Sequence, residues 1–224
     1  MNPTFSKLLP VVVSSLLSAV SVAQAQSQAP TITPSAAAGE KKAAMCIGCH
    51  GIPGYQASFP EVHKVPMIGG QSARYLVSAL GAYQKGDRHH PTMKAIAASL
   101  TEQDMADLAA FYEKQGSGGA AKSVPAPSAQ VASLLEKGKC VTCHGTDYNT
   151  AISPEYPKLA GQHADYLYVS LKAYQTANNA LVGRANPTMQ AQVQGFTHAE
   201  LKLLANYLGS LQTDLTTHAQ PRFR

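Results

Sequence analysis

The chain has 224 residues, a formal charge of +5 and no tryptophan. It lacks a Lys/Arg-rich stripe interleaved with aromatic residues, which argues against binding to nucleic acid. Once an N-terminal export signal is removed, the remaining length suits two small domains better than one large domain.

Residues 1–25 have the pattern of a secretory signal peptide. Lys7 is the lone charge, an apolar run follows it, and the small-x-small sequence that ends at Ala25 offers a cleavage site. The apolar run is short and rich in serine, so a cleaved signal is favoured over a membrane anchor, which stays the alternative. We therefore expect a periplasmic protein without free thiols, since unused thiols tend to pair in an oxidising compartment.

A Cys-x-x-Cys-His motif occurs twice and uses every cysteine of the chain. The motif consists of the cysteine pairs Cys46/Cys49 and Cys140/Cys143 and of the histidines His50 and His144. This pattern is typical of c-type haem attachment. Two thiols on one side of a helical turn can form thioethers with one porphyrin, and the adjacent imidazole can bind the iron. A zinc site or a thioredoxin-like pair does not explain a histidine directly after the second cysteine in both copies.

The second motif belongs to a repeat of a whole domain. His50 and His144 lie 94 residues apart, and the other matches keep the offset between 91 and 96. These matches are Gly70-Gln71 with Gly161-Gln162, Tyr75 with Tyr166, Ala82-Tyr83-Gln84 with Ala173-Tyr174-Gln175, and Pro91-Thr92-Met93 with Pro187-Thr188-Met189. A segment rich first in glycine and then in proline separates the copies. We predict domains at 26–115 and 128–212, a linker at 116–127 and a tail at 213–224.

Each copy has the pattern of helices joined by loops, and neither shows a strand pair. The predicted helices cover 35–48, 71–85 and a segment that begins at Thr101 in the first copy, and 128–138, 162–177 and 197–211 in the second. Thr101 and Thr197 each begin a capping-box sequence, with Asp104 in place of the usual Glu or Gln in the first copy. The fold class is therefore all-α.

A thioether methionine opposite the histidine is the ligand pair that raises the haem potential in electron-transfer cytochromes. The second copy contains a single methionine, so a His/Met-ligated haem there requires Met189. The repeat transfers this role to Met93, because both stand in Pro-Thr-Met. Met105 lies on an apolar helix stripe and is better explained by core packing. Bis-histidine ligation is the alternative, with candidates at His63, His89, His90, His163, His198 and His218.

These motifs together resemble the dihaem cytochrome c4 family over roughly residues 35–212. The resemblance implies two tandem class I cytochrome c domains, related by an approximate twofold axis, with the propionates of two covalently bound haems facing the interface. It also implies that the carbonyls of Pro66 and Pro157 accept hydrogen bonds from the ligating imidazoles. By the same resemblance, the side chains near the propionates are Gln71, Tyr75, Gln162 and Tyr166.

Two haems that each have two protein ligands leave no open position for a substrate. We therefore expect a carrier of single electrons and not an enzyme, with no small-molecule substrate. By resemblance, its partners are a quinol-oxidising complex and a terminal oxidase, reached by peripheral contact at the inner membrane. The alternatives are a cytochrome subunit of a flavoprotein or other dehydrogenase, and a dihaem peroxidase or thiosulfate-oxidising enzyme.

Overall fold

The computed structural model describes residues 31–118, 124–176 and 179–219. The predicted signal peptide and its cleavage site at Ala25 lie outside these residues, as do parts of the predicted linker and tail. None of the helices among the described residues has the length and hydrophobicity of a membrane-spanning segment.

Short helices build both halves of the chain. The first half contains α1 (Ala36–Lys42), α2 (Ala44–His50), α3 (Ala73–Lys85), α4 (Pro91–Ala98) and α5 (Glu102–Glu113). The second half contains α6 (Ala129–Lys137), α7 (Val141–His144), α8 (Ala164–Gln175), α9 (Pro187–Val193) and α10 (His198–Ser210). The helical fold class is confirmed.

The helix ends follow the capping signals of the sequence. Thr101 and Thr197 both form complete capping boxes, with Asp104 and Glu200 as the reciprocal partners. The helix predicted at 35–48 is instead divided into α1 and α2 by a turn at Ala43.

The Pro-Thr-Met segments lie outside the predicted helix ranges, but they begin the short helices α4 and α9. Proline occupies the first turn of each, where its missing N–H costs no helical hydrogen bond.

Each half has its own hydrophobic core. Helix α5 packs on α1 and α3, and α10 packs on α6 and α8. The predicted apolar stripe of α5 is buried in the first core, where Met105 is 3% exposed and Leu108 is 3% exposed. The second core is built around Leu201, which is fully buried. Met105 thus has the packing role that its place on the stripe predicted.

The expectation that neither half contains a strand pair is wrong, although the strands are only two residues long. Strand β1 (Gln56–Ala57) pairs with β2 (His63–Lys64) inside the first half. Strand β3 (Arg88–His89) pairs antiparallel with β4 (Gly183–Arg184) and so joins the halves. Residue pairs with no alternating apolar pattern give no strand signal in a sequence.

The contact between the halves has pseudo-twofold symmetry. The Gln71 amide donates to Lys158 O (3.1 Å) and accepts from Lys158 N (2.9 Å). The Gln162 amide makes the same two bonds with Met67, at 2.8 and 3.0 Å. Because Gln71 matches Gln162 and Met67 matches Lys158 in the repeat, each half presents the same surface to the other.

Candidate functional site

Both motif histidines are held by a proline carbonyl of their own half. His50 Nδ1 lies 2.9 Å from Pro66 O, and His144 Nδ1 lies 3.0 Å from Pro157 O. A carbonyl oxygen only accepts, so Nδ1 carries the proton and Nε2 keeps a free lone pair. Desolvation lowers the pKa of both imidazoles, whereas the hydrogen bond to the proline carbonyl raises it. Desolvation is the larger effect, so the pKa of each ring lies below its ordinary value. Both rings are thus neutral at pH 7 and suited to bind a metal through Nε2.

The four cysteines are half-buried, and none is paired with another in a disulfide. Cys46 and Cys49 lie on α2, while Cys140 caps α7 and Cys143 lies within it. Burial raises the pKa of the Cys46 thiol and raises that of Cys140 to about 11. Burial thus favours the neutral form of these two thiols.

Met93 and Met189 occupy the same position in α4 and α9, and both are half-buried. Their backbone N–H groups donate to the residue that caps each helix. Met189 N lies 2.9 Å from Asn186 Oδ1, whereas Met93 N lies 3.4 Å from His90 Nδ1. His90 therefore has a structural role as a cap acceptor. Met189 also packs against the second core together with Cys140.

The two arginines of the β3–β4 pair stand at the boundary between the halves. Arg88 donates to Tyr75 OH (3.3 Å) and to Tyr166 OH (2.7 Å). Arg184 donates to Tyr166 OH (3.2 Å) and to Ser170 Oγ (2.7 Å). Burial raises the pKa of Tyr75, while at Tyr166 the two guanidinium groups outweigh burial and lower the pKa.

This arginine pair leaves positive charge that the described residues do not neutralise. Arg88 is 8% exposed, its Nε has no hydrogen-bond partner among those residues, and none of their carboxylates forms an ion pair with either guanidinium. Buried charges require a partner of opposite sign. Haem propionates are such partners, so the donors present here fit the group that the cysteine motifs imply.

Arg88 and Arg184 were not among the residues singled out in the sequence, although a signal was available. Both stand three residues before the proline of Pro-Thr-Met. The four side chains expected near the propionates divide into two groups. Tyr75 and Tyr166 lie at the arginine pair, whereas the Gln71 and Gln162 amides bind backbone groups across the interface.

The family model for cytochrome c matches residues 36–115 and 128–212. Two tandem matches, a cysteine pair in each and an imidazole held beside each pair define a c-type cytochrome with two haem-binding halves. Its cofactors are two covalently bound haem c groups.

More specific relatives are found over most of the chain. Cytochrome c4 of Thiocapsa roseopersicina is 31% identical, with 78% of this chain and 91% of the relative covered. Cytochrome c4 of Pseudomonas aeruginosa is 29% identical, covering 79% of this chain and 88% of the relative. A thiosulfate dehydrogenase electron acceptor of Thiomonas intermedia is 27% identical, with 83% and 87% covered.

The structure of Acidithiobacillus ferrooxidans cytochrome c4 superposes with a TM-score of 0.57 at 25% identity, covering 75% of this chain and 99% of that one. The chain belongs to the cytochrome c4 family, and it is a dihaem electron-transfer cytochrome. The resemblance inferred from the sequence motifs is confirmed, as are the cofactor and the two tandem helical domains.

Proposed function

We propose that each half holds its haem between a histidine and a methionine. The ligands are His50 and Met93 in the first half and His144 and Met189 in the second, with thioethers from both cysteines of each motif. The observation that carries this proposal is the pair of imidazole-to-proline bonds, at 2.9 and 3.0 Å. Each bond fixes one ring and leaves Nε2 available as a ligand directly beside a cysteine pair.

In this proposal, side chains of the protein bind the haem iron and neutralise the negative charge of the haem propionates. Bound haem supplies a reversible one-electron iron couple. A histidine and a methionine from each half would hold the iron through neutral ligands and leave it no position for a substrate, so the molecule would carry electrons without catalysing a reaction. Arg88 and Arg184 neutralise the propionates, with Tyr75 and Tyr166 holding the guanidinium groups.

The protein acts in the periplasm after cleavage of residues 1–25. Its electron donor is a quinol-oxidising complex and its acceptor a terminal oxidase, both reached by peripheral docking at the inner membrane. The kinship with cytochromes c4 and the requirement for thioether formation outside the cytoplasm support this location.

A second candidate function is to accept electrons from a thiosulfate-oxidising enzyme. The specific support is the Thiomonas intermedia relative, which is described as a thiosulfate dehydrogenase electron acceptor. This role needs no change in the ligands, since only the donor differs.

Stopped-flow reduction of the purified mature protein distinguishes these roles. We expect both haems to be reduced by a quinol-oxidising complex and reoxidised by a terminal oxidase. Faster reduction by thiosulfate dehydrogenase with thiosulfate would favour the second candidate. Turnover of peroxide or thiosulfate by the isolated protein would contradict both carrier roles. Co-purification with a flavoprotein subunit would identify a permanent subunit instead.

A further inference from the structure

The segment that follows α10 lies against the first half of the chain. After α10, residues 213–218, which we call the C-terminal strap, lie along the first half. Thr216 N donates to Gly69 O at 2.9 Å, and Gly69 N donates to Thr216 O at 3.1 Å. Thr216 Oγ1 donates to Gln115 O at 2.6 Å, and Ser117 N donates to Asp214 O at 2.9 Å. The strap thus satisfies backbone groups of the first half.

The surface under the strap consists of glycine backbone. A Cβ at Gly69 would overlap Thr216 Oγ1, and one at Gly70 would lie 2.7 Å from Asp214 O. A Cβ at Gly116 would lie 2.9 Å from Gly70 Cα. Gly70 also has a φ of +79°, which side chains rarely tolerate. These three glycines form a groove that an extended backbone fits closely and that a side chain would close.

The strap is fixed at both ends. On the second-half side, Lys158 Nζ forms an ion pair with Asp214 Oδ2 at 2.7 Å, and Leu215 is only 4% exposed. On the first-half side, the His218 ring packs edge-on against Phe111, with 5.6 Å between centroids. The His218 carbonyl lies next to Gly51, directly after the motif histidine. The strap therefore reaches the end of the helix that carries the first cysteine pair.

Among the residues that the structure describes, the second half has no equivalent of this arrangement. Gly145, the counterpart of Gly51, is approached by Thr150 O of its own half. A segment from the second half thus covers the end of the haem-binding helix in the first half, and no described segment of the first half does the reverse. This asymmetry is superimposed on an otherwise pseudo-twofold interface.

We propose that the C-terminal strap is an intramolecular clamp that fixes the distance between the two haem-binding halves and so sets the rate of electron exchange between them. The inference rests on the electron-transfer function. Interfaces between domains of one chain commonly permit relative motion. Because electron tunnelling falls steeply with distance, an interface that opens part of the time exchanges electrons more slowly than one that a strap holds closed.

Gly69→Ala is the decisive variant, because its Cβ displaces Thr216 without removing any residue. Gly81→Ala is the matched control, since a Cβ there meets nothing within 4 Å. A chain that stops after Gln212 removes the strap, whereas one that stops after Ala219 retains it and controls for loss of the last residues. The measurement is intramolecular electron exchange after rapid one-electron reduction of the ferric protein.

We expect exchange to slow in Gly69→Ala and in the chain ending at Gln212, and to be unchanged in both controls. Gly69→Ala should add nothing in the shorter chain, because its target is gone. The ferric spectra and the reduction by an external donor should stay as in the unaltered protein, so a defect there would count against the proposed function instead. Unchanged exchange in Gly69→Ala, or no measurable exchange in the unaltered protein, would overturn the clamp.

Discussion

Arg88 and Arg184 stand directly opposite each other in the antiparallel pair that joins the halves, and both donate to the hydroxyl of Tyr166. Like charges placed opposite each other in a strand pair are destabilising. This pair is also largely withdrawn from water and lacks a carboxylate partner among the described residues. In the proposed function, haem propionates supply the missing negative charge, and we expect this arrangement to become favourable only when the cofactor is bound.

Arg88→Gln should lower a haem reduction potential. A nearby positive charge disfavours the ferric state, which carries one more positive charge than the ferrous state. At an effective dielectric constant typical of proteins, removing the Arg88 charge changes the free-energy difference between the ferric and ferrous states by about 1 kcal/mol, which is about 40 mV for one electron. Potentiometric titration measures the shift. Arg74→Gln removes an exposed guanidinium and should shift the potentials far less, because solvent and salt screen it. Equal shifts would contradict the role of Arg88.

Two ion pairs across the interface are related by the repeat, but their charges are exchanged. Lys64 lies opposite Asp165 at 3.8 Å, and Arg74 lies opposite Glu155 at 3.6 Å. Lys64 and Glu155 are equivalent positions, as are Arg74 and Asp165. Two first halves facing each other would bring cation to cation, and two second halves would bring anion to anion. The charges therefore favour pairing of unlike halves.

Glu155→Arg should destabilise the protein by about 0.2–1 kcal/mol, the range for exposed pairs. The substitution places two guanidinium groups opposite each other, and their repulsion is strongest at low salt. Adding Arg74→Glu should recover the lost free energy of unfolding, because the ion pair is then re-formed with its charges exchanged. Urea unfolding of the four proteins of this cycle gives the coupling energy. Additive losses, or a coupling unaffected by 1 M salt, would show that these charges do not interact.

Asn186→Ala should weaken the proposed Met189 ligation as well as the helix. The Asn186 side chain accepts from the N–H of Met189, and losing such a cap costs about 0.5–2 kcal/mol. Asn186→Asp should retain the acceptor and the ligation. Thr197→Ala removes a cap of the same kind from α10, a helix that does not contain the methionine. Both alanine variants should unfold at a lower denaturant concentration than the unaltered protein. Only Asn186→Ala should also weaken the methionine-to-iron absorption band.

Acid should destabilise the first half through Asp107. This carboxylate is 3% exposed and accepts from Lys42 Nζ at 2.6 Å and Ser35 N at 2.8 Å. The bond from Lys42 is the main reason that its pKa lies below the ordinary 3.8. A carboxyl with a depressed folded pKa contributes stability that is present above its unfolded pKa and is lost as pH falls through the folded value.

The unfolding free energy should therefore decline below about pH 4. Asp107→Asn should be less stable at neutral pH and should lose less on acidification. Asp87→Asn changes an exposed carboxylate and should follow the unaltered protein. If the free energy of unfolding of Asp107→Asn fell as much on acidification as that of the unaltered protein, groups other than Asp107 would be responsible for the acid sensitivity.

The sequence was sufficient for features that depend on local chemistry. The Thr101 and Thr197 caps and the apolar stripe through Met105 follow from short-range patterns. The imidazole bonds to Pro66 and Pro157 were implied by the family resemblance. The repeat located the two halves and the paired helices.

Features made by long-range pairing could not be predicted in the same way. Arg88 meets Arg184 through strands of two residues each, which have no periodicity to detect. The division of the first helix at Ala43 has no local helix breaker in the sequence. The helical start at Pro91 did have a local signal, proline in the first turn, but the predicted helix ranges did not include it. The docking of Thr216 on Gly69 joins residues far apart in the sequence, and nothing local to either indicates the other.

Coordination of both irons by methionine is tested most directly by the ferric absorption and magnetic spectra of Met93→Leu and Met189→Leu, compared with the unaltered protein and with Met105→Leu. Each of the first two changes should remove one haem's share of the methionine-to-iron charge-transfer band, and Met105→Leu should leave the band intact. A band that survives both substitutions, or mature protein that carries fewer than two haems, would contradict the account.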